Sequence, residues 1–379
     1  MTPRLALCAL IALSLAQAGC SRKEGGTGSL TAADFARIDH HEIGDPFKLG
    51  KLDKIVVPQT TELSLIAEMD QIVVKKSGDF YIGDIFSQKA VFHFDPNGKP
   101  LHRYGEVGQG PGEYGNLISF DVDDQGRIFL LADRKIIVLE RDGKPLKEIR
   151  TDFLAGEIKL VEDDVIVRVH ASGASRDFPH SLFLVFDKAL NPKKGLFDPD
   201  PRLAIYKFLP SNSMASDGGA LFFTGIYEFS LNICRPSDGG NDKLVFGAQD
   251  REFESIWEKP SLTEEDRTAI RNHVKMFNGI YSFGTALCLI AMDRSKKDVS
   301  LWLVDVRRKS METYPWGMFV GPDAPFSYLA GSYDRGLVFV IADEEKFVRF
   351  KERFPQYKNL EFGANSNPAL VFLALDSLR

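Results

Sequence analysis

Apolar residues along this chain come in short runs of roughly four to eight residues that alternate with polar positions and stop at glycine, proline or Asx-Gly pairs, the pattern of β-strands joined by turns. Two stretches, Ser77 to Leu101 and Gln125 to Leu146, repeat one unit. Each has a turn, a β run (Phe80–Asp84; Arg127–Asp133), a second run (Ala90–Asp95; Lys135–Arg141), an Asn-Gly or Asp-Gly turn, and a return run opening Lys-Pro-Leu. A unit of roughly 45 residues built from such hairpins is a propeller blade.

Counting along that length gives six blades. Blade one spans Glu62–Gly105, with inner strand Leu63–Lys75, and blade two spans Leu117–Thr151. Blade three covers Phe153–Asp198, with Gly156–Val161 innermost, and blade four covers Ala204–Gly247. Blade five runs from Gly279 to Trp316. Blade six holds Tyr328–Ala330, Leu337–Asp343 and Ala369–Leu375, which leaves it without an outer strand. The segment Ile38–Val57 has β-like runs and no partner of its own. The expected fold is therefore all-β, a six-bladed β-propeller whose last blade is closed by an N-terminal strand within Asp53–Pro58, because joining surplus to deficit removes two exposed sheet edges.

Two helical insertions interrupt the β pattern. Thr263-x-x-Asp266 resembles a capping box, and Ile270, Val274 and Phe277 recur at helical spacing, which predicts a helix over 263–276. Phe347, Phe350 and Phe354 predict a second over Glu344–Phe354. Both apolar stripes are expected to dock on the propeller rim, with a lid over the channel as the alternative.

The N-terminus carries an address. Arg4 precedes the apolar run Leu5–Leu15, and small residues follow at Ala16-Gln-Ala-Gly-Cys20, which reads as a secretory signal over residues 1–19. Ala18-Gly19-Cys20 resembles a lipobox whose cysteine carries the lipid, with Gln17 in place of the usual Leu; the alternative is ordinary cleavage at Ala18, releasing a soluble periplasmic or secreted protein. Residues 20–37 begin with the polar, glycine-rich Ser21–Ser29 and read as a tether, leaving 38–379 as the propeller domain. Lipidation of Cys20 makes this the sole membrane contact, and Ser21 after it resembles the outer-membrane sorting pattern of Gram-negative lipoproteins.

Composition narrows the class further. The formal charge of −6 and the lack of a long basic run argue against nucleic acid as a partner. The 29 phenylalanines concentrate in β runs and read as packing between blades. Cys234 and Cys288 sit in apolar runs outside any metal-ligand spacing and read as buried thiols, with a disulfide in an oxidising compartment as the alternative.

Between blades one and two stands Gly105-Glu-Val-Gly108-Gln-Gly110-Pro111-Gly112-Glu113-Tyr114. Pro111 removes a backbone donor and a β run follows, so this is not a phosphate-binding loop. It reads as a crossover in which glycines take positive φ and Glu113 and Tyr114 hold the neighbouring blade, with a ligand contact at Glu113 as the functional reading. With Ile118–Val122, the Asp123–Gly126 turn, Asp142-Gly-Lys144 and the terminal Asn367–Val371, it resembles secreted six-bladed β-propeller lipoproteins of Gram-negative bacteria, especially Bacteroidetes, related by fold to NHL-like and TolB-like propellers. That resemblance implies the fold and no activity.

No reactive constellation accompanies it. Asp121-Val-Asp123-Asp-Gln125-Gly126 opens like a calcium loop, but Ala132 stands where a bidentate carboxylate is required, so a hairpin turn is expected. His40 and His41 are adjacent in an extended segment and point to opposite sides. Two function classes follow. The first is a lipid-anchored, non-enzymatic binding propeller of the cell envelope, monomeric and without cofactor, recognising a protein, peptide or glycan from the periplasm or the cell surface. The alternative is a hydrolase or lyase with calcium or zinc held in the channel, for which Glu68, Asp121 and Glu157 on inner strands are the candidate carboxylates.

Overall fold

Each copied unit is a four-stranded antiparallel sheet in the computed structural model, which describes residues 30–31, 37–41 and 44–375 apart from 63, 171–174, 199–211, 218, 226–228, 238–239, 247–254, 257–258, 260, 306–307, 309 and 364. Blade one is Gln71–Val74, Phe80–Asp84, Ala90–Phe94 and Pro100–Tyr104. Blade two is Leu117–Val122, Ile128–Ala132, Lys135–Leu139 and Pro145–Arg150. Gly98 and Gly143 take φ values of 85° and 84° at their Asx-Gly turns, a conformation that costs glycine nothing. Asp95 fixes the first turn by accepting from the amides of Asn97 and Lys99. The signal region 1–19, Cys20 and most of the tether lie outside the described residues.

The remaining blades follow the same order. Blade three is Ala155–Val161, Asp164–Val169, Phe183–Asp187 and Pro192–Leu196, and blade four is Met214–Asp217, Ala220–Thr224, Ser230–Arg235 and Gly240–Val245. Blade five is Lys275–Phe283, Ala286–Asp293, Asp298–Asp305 and Ser310–Pro315. Inner strands of successive blades lie side by side, and that of blade six returns to that of blade one. The ring is thus a six-bladed β-propeller whose core is a chain of apolar clusters between neighbouring sheets.

Blade six closes as the strand deficit requires. Tyr328–Tyr333, Gly336–Ile341 and Ala369–Ala374 are joined by Lys51–Val56, which pairs antiparallel with Ala369–Ala374 and begins two residues earlier than expected. Asn367 clasps the junction from a fully buried position. Its amide donates to the carbonyls of Pro58 at 3.1 Å and Ser64 at 2.8 Å, while its oxygen accepts from Ile66 N at 2.8 Å. Two further strands were not anticipated: Leu30–Thr31 and Arg37–His40 add in parallel to the outer strands of blades four and five.

Among the described residues, three helices of four to ten residues accompany the sheets. Pro46–Leu49 (α1) packs Phe47 against Phe326 and Phe354. Glu264–Asn272 (α2) has the anticipated capping box, with Thr263 Oγ1 accepting from Asp266 N and Asp266 accepting from Thr263 N. It ends four residues earlier than its spacing suggested, because Val274 lies in the connection and Phe277 in the inner strand of blade five; sheet pairing wins over helical periodicity there. Glu344–Arg353 (α3) buries Phe347 and Phe350 in the core between blades five and six, so its stripe docks on the ring.

Strand alternation divides the connections between two faces. Turns from inner to second strand and from third to outer strand are tight hairpins such as 75–79 and 140–144, and these form a hairpin face. All other connections leave from the opposite face, including 57–70, 85–89, 105–116, 170–182, 246–274, 316–327 and 342–368. This loop face carries the glycine stretch, α2 and α3.

Candidate functional site

The glycine stretch is locked by its own polar groups. Gly110 N donates to Glu113 Oε2 at 2.7 Å, and Gly112 N donates to Glu148 Oε2 at 2.9 Å. Glu148 in turn pairs with Lys135 at 2.9 Å, and Lys135 also donates to the Glu113 carbonyl. Tyr114 is buried and its phenol donates to the Lys89 carbonyl of blade one at 2.7 Å, so burial pushes its ionisation up. A Cβ on Gly105 would stand 1.9 Å from that hydroxyl, and one on Gly108 would stand 2.0 Å from Glu113 Oε2. Pro111 is exposed at the tip. The crossover is therefore rigid, and Glu113 spends its carboxylate on the loop itself.

The polar residues of the inner strands bind neighbouring blades. An inner strand presents one unpaired edge of N–H and C=O groups to the channel, and those groups need partners. Gln71 reaches both groups of Phe120 in blade two, and Ser119 Oγ donates to its Oε1 at 3.2 Å. Asp121 Oδ2 accepts from Leu160 N of blade three at 2.8 Å. Glu157 accepts from Ser213 N at 3.0 Å and Ser213 Oγ at 2.8 Å in blade four. Tyr281 of blade five donates to the Leu329 carbonyl of blade six. Burial pushes the Glu157 carboxyl up while Arg168 and Lys159 pull it down. Asp121 and Glu157 sit where the spacing put them, and their oxygens hold the ring together.

Glu68 sits elsewhere. The inner strand of blade one begins at Gln71, so Glu68 lies exposed in the connection 57–70, because Ser64 to Asp70 is engaged in side-chain and turn bonds that preclude strand pairing. Asp84, fully buried, binds this connection to 85–89: Oδ2 accepts from Ala67 N and Glu68 N, and Oδ1 accepts from Ser87 N and Gln88 N. Asp70 Oδ2 accepts from Ile85 N at 2.7 Å, and burial raises its carboxyl with help from Glu68 and Asp84.

These staples hold apolar side chains out into solvent. Phe86, between Asp84 and the Ser87 and Gln88 amides that it caps, is 69% exposed, and Val107 on the glycine stretch is 59% exposed. Leu65, Leu154 and Val348 are also exposed on loop-face connections. The other large apolar side chains exposed among the described residues, Leu101 and Leu146, lie on outer strands. Both stand second in those strands, near the hairpin-face end, while the turns of that face carry none among the described residues. Sequence reasoning missed Phe86 because a short turn sequence does not say which side chain its caps will push outward.

Among the described residues no three His, Cys, Asp or Glu side chains converge as a metal set requires. Asp123 caps its hairpin turn, accepting from Gln125 N and Arg127 N at 2.9 Å each. His41 stacks on Tyr314. Cys234 and Cys288 are both buried, and burial pushes the Cys288 thiol up. A pocket of about 650 Å³ lies between the end of α2 and the 293–298 turn, remote from the channel strands of blades one to three.

A family model described as "Domain of unknown function (DUF4934)" matches residues 54–374. Solved structures that share the fold include two from Bacteroides. One, from Bacteroides fragilis and described as exported, has a TM-score of 0.65 and 16% identity over 89% of this chain and 99% of its own. The other, a duf4221 family member from Bacteroides vulgatus, has a TM-score of 0.52 and 12% identity over 85% of this chain and 96% of its own. No curated protein sequence matches the chain.

Proposed function

The chain belongs to the DUF4934 family, and on that premise we propose that it is an exported, lipid-anchored recognition module, a rigid ring whose loop face binds a protein or peptide of the cell envelope. One observation carries this reading: among the described residues the long connections and five of the seven exposed large apolar side chains lie on one face, while the turns of the other are short and polar. Apolar side chains fixed by buried caps supply contact area at little entropic cost, as interface anchors do. Leu65, Phe86, Val107 and Leu154 suit a protein surface better than a glycan, whose recognition would need polar groups left unpaired. Export and the Cys20 lipid rest on Leu5–Leu15 and Ala18-Gly19-Cys20.

The test is capture from crosslinked membranes, comparing the parent with Phe86→Ser combined with Val107→Ser, and with the hairpin-face variant Lys144→Ser. All three replaced side chains are exposed, so each change should alter stability by less than about 0.5 kcal/mol. Partner capture lost with the first variant and kept with the second is expected. Capture unaffected by the first would sink the loop-face reading. Calcium or zinc bound in stoichiometric amount to the same preparation would favour a metal-dependent hydrolase or lyase instead.

A further inference from the structure

Three of the exposed apolar side chains stand on connections that are stitched to one another. Asp84 and Asp70 tie 57–70 to 85–89, and Tyr114 Oη ties 105–116 to 85–89 through the Lys89 carbonyl. Lys89 Nζ closes the same seam by donating to the Gly115 carbonyl at 3.2 Å. Leu65, Phe86 and Val107 therefore belong to one patch at the loop-face end of blade one. Their backbone is fixed at each point. Leu65 lies between Ser64 and Ile66, both held by Asn367, Phe86 follows the caps of Asp84, and Val107 pairs with Tyr114.

The three connections are also acidic. Glu62, Glu68, Asp70, Glu106 and Glu113 stand in them, against Lys89 as their only basic residue. The Lys89 ammonium is spent on Gly115, and the neighbouring Arg103 guanidinium is spent on the Gly105 carbonyl. Glu62, Glu68 and Glu106 are exposed and pair with no described cation. Burial raises the Asp70 carboxyl, and the charges of Glu68 and Asp84 raise it further. Other loop-face connections mix the two signs: 170–182 has Arg176 beside Asp177, and α3, which carries Val348, has Arg349 four residues from Glu345.

Fixed apolar side chains beside unpaired carboxylates define their complement. An uncharged apolar partner would bury those carboxylates without a counter-charge, and an acidic protein or an anionic lipid surface would be repelled by them. We propose that the loop face of blade one takes a basic amphipathic segment of its protein partner. Apolar side chains of that segment seat among Leu65, Phe86 and Val107, and its Lys or Arg side chains meet Glu62, Glu68 and Glu106. This rests on the loop-face reading above and names the chemistry of what binds there.

The test uses the mature chain and three labelled peptides: an amphipathic helix of leucine and lysine, its leucine and glutamate counterpart, and a serine and lysine peptide of the same charge as the first. Fluorescence anisotropy should show the leucine and lysine peptide bound about tenfold or more tightly than either other, with affinity falling as salt rises. Glu68→Lys with Glu106→Lys should weaken that peptide by about tenfold and strengthen the leucine and glutamate one, a gain that misfolding cannot produce. Asp124→Lys with Asp163→Lys makes the same change of net charge on exposed turns of the hairpin face, and should leave both affinities within about twofold. Equal binding of the three peptides, hairpin-face variants that act like the loop-face ones, or a preference for phosphatidylglycerol vesicles would each overturn the proposal. Capture from crosslinked membranes separates it from the reading beneath it. A partner lost with both Phe86→Ser/Val107→Ser and Glu68→Lys/Glu106→Lys is expected. A partner lost only with the first pair keeps loop-face binding and overturns its cationic chemistry, and one kept with both removes the loop-face reading and this proposal with it.

Discussion

The side-chain amide of Gln71 occupies both backbone groups of Phe120: Nε2 donates to the carbonyl at 2.6 Å, and Oε1 accepts from the amide at 3.3 Å. It thereby replaces, between two blades, the pair of bonds a neighbouring strand would exchange. Gln71→Leu keeps the volume and leaves both groups of Phe120 buried without partners. The loss should be about 1–3 kcal/mol in urea unfolding. A change within about 0.5 kcal/mol would mean that water replaces the amide and that the blades are not joined by this residue.

Gly105 and Tyr114 should be coupled. Gly105 has φ +90° and its Cβ position lies against the Tyr114 hydroxyl, so Gly105→Ala is expected to cost about 2 kcal/mol or more. Tyr114→Phe loses one hydrogen bond, worth about 1 kcal/mol. Combined, they should cost less than the sum, because removing the hydroxyl relieves part of the clash. Strict additivity in a double-mutant cycle would show that the loop relaxes around the methyl group.

Acidification should weaken the junction of blades one and two through His93. The ring is buried, stacked on Tyr81 at 4.1 Å, with Tyr104 Oη and Asp79 Oδ2 each 3.5 Å from a ring nitrogen. Burial lowers its pKa; Asp79 opposes this, while Arg141 and His102 act with burial. The unfolded chain takes up the proton near the ordinary value of 6.5 and the folded chain does not, so stability falls as pH drops below about 6.5 until the folded value is passed. His93→Gln should remove part of that decline in unfolding curves between about pH 7 and 5. His102, also lowered by burial, keeps the rest. An unchanged slope would place the titration elsewhere.

How much of this was legible in the sequence depends on range. Blade length, the Asn97-Gly98 and Asp142-Gly143 turns, and the missing outer strand were readable because strand alternation and turn chemistry are local. The ring stitches were not: nothing near Gln71 indicates that its amide meets Phe120, and nothing near Glu157 indicates Ser213. Asp121 and Glu157 were found by their position on inner strands, yet position alone does not distinguish a carboxylate that faces a ligand from one that satisfies a neighbouring amide. Glu68 was placed on a strand because Ile66 and Met69 made its surroundings read as one apolar run. The parallel strand Arg37–His40 escaped because its short run pairs with residues far along the chain.

The clasp at Asn367 also orders events in time. Its bond to Ile66 joins positions 301 residues apart, and the strand it borders pairs with one near the opposite end of the chain. Loop closure over such a length is slow and unfavourable until the intervening blades have shortened it. In a chain threaded through a membrane amino-end first, Lys51–Val56 would emerge before any blade and find its partner only after the last one. The first strand delivered would then be the last one paired, an interval during which an unpaired β edge needs protection from other chains.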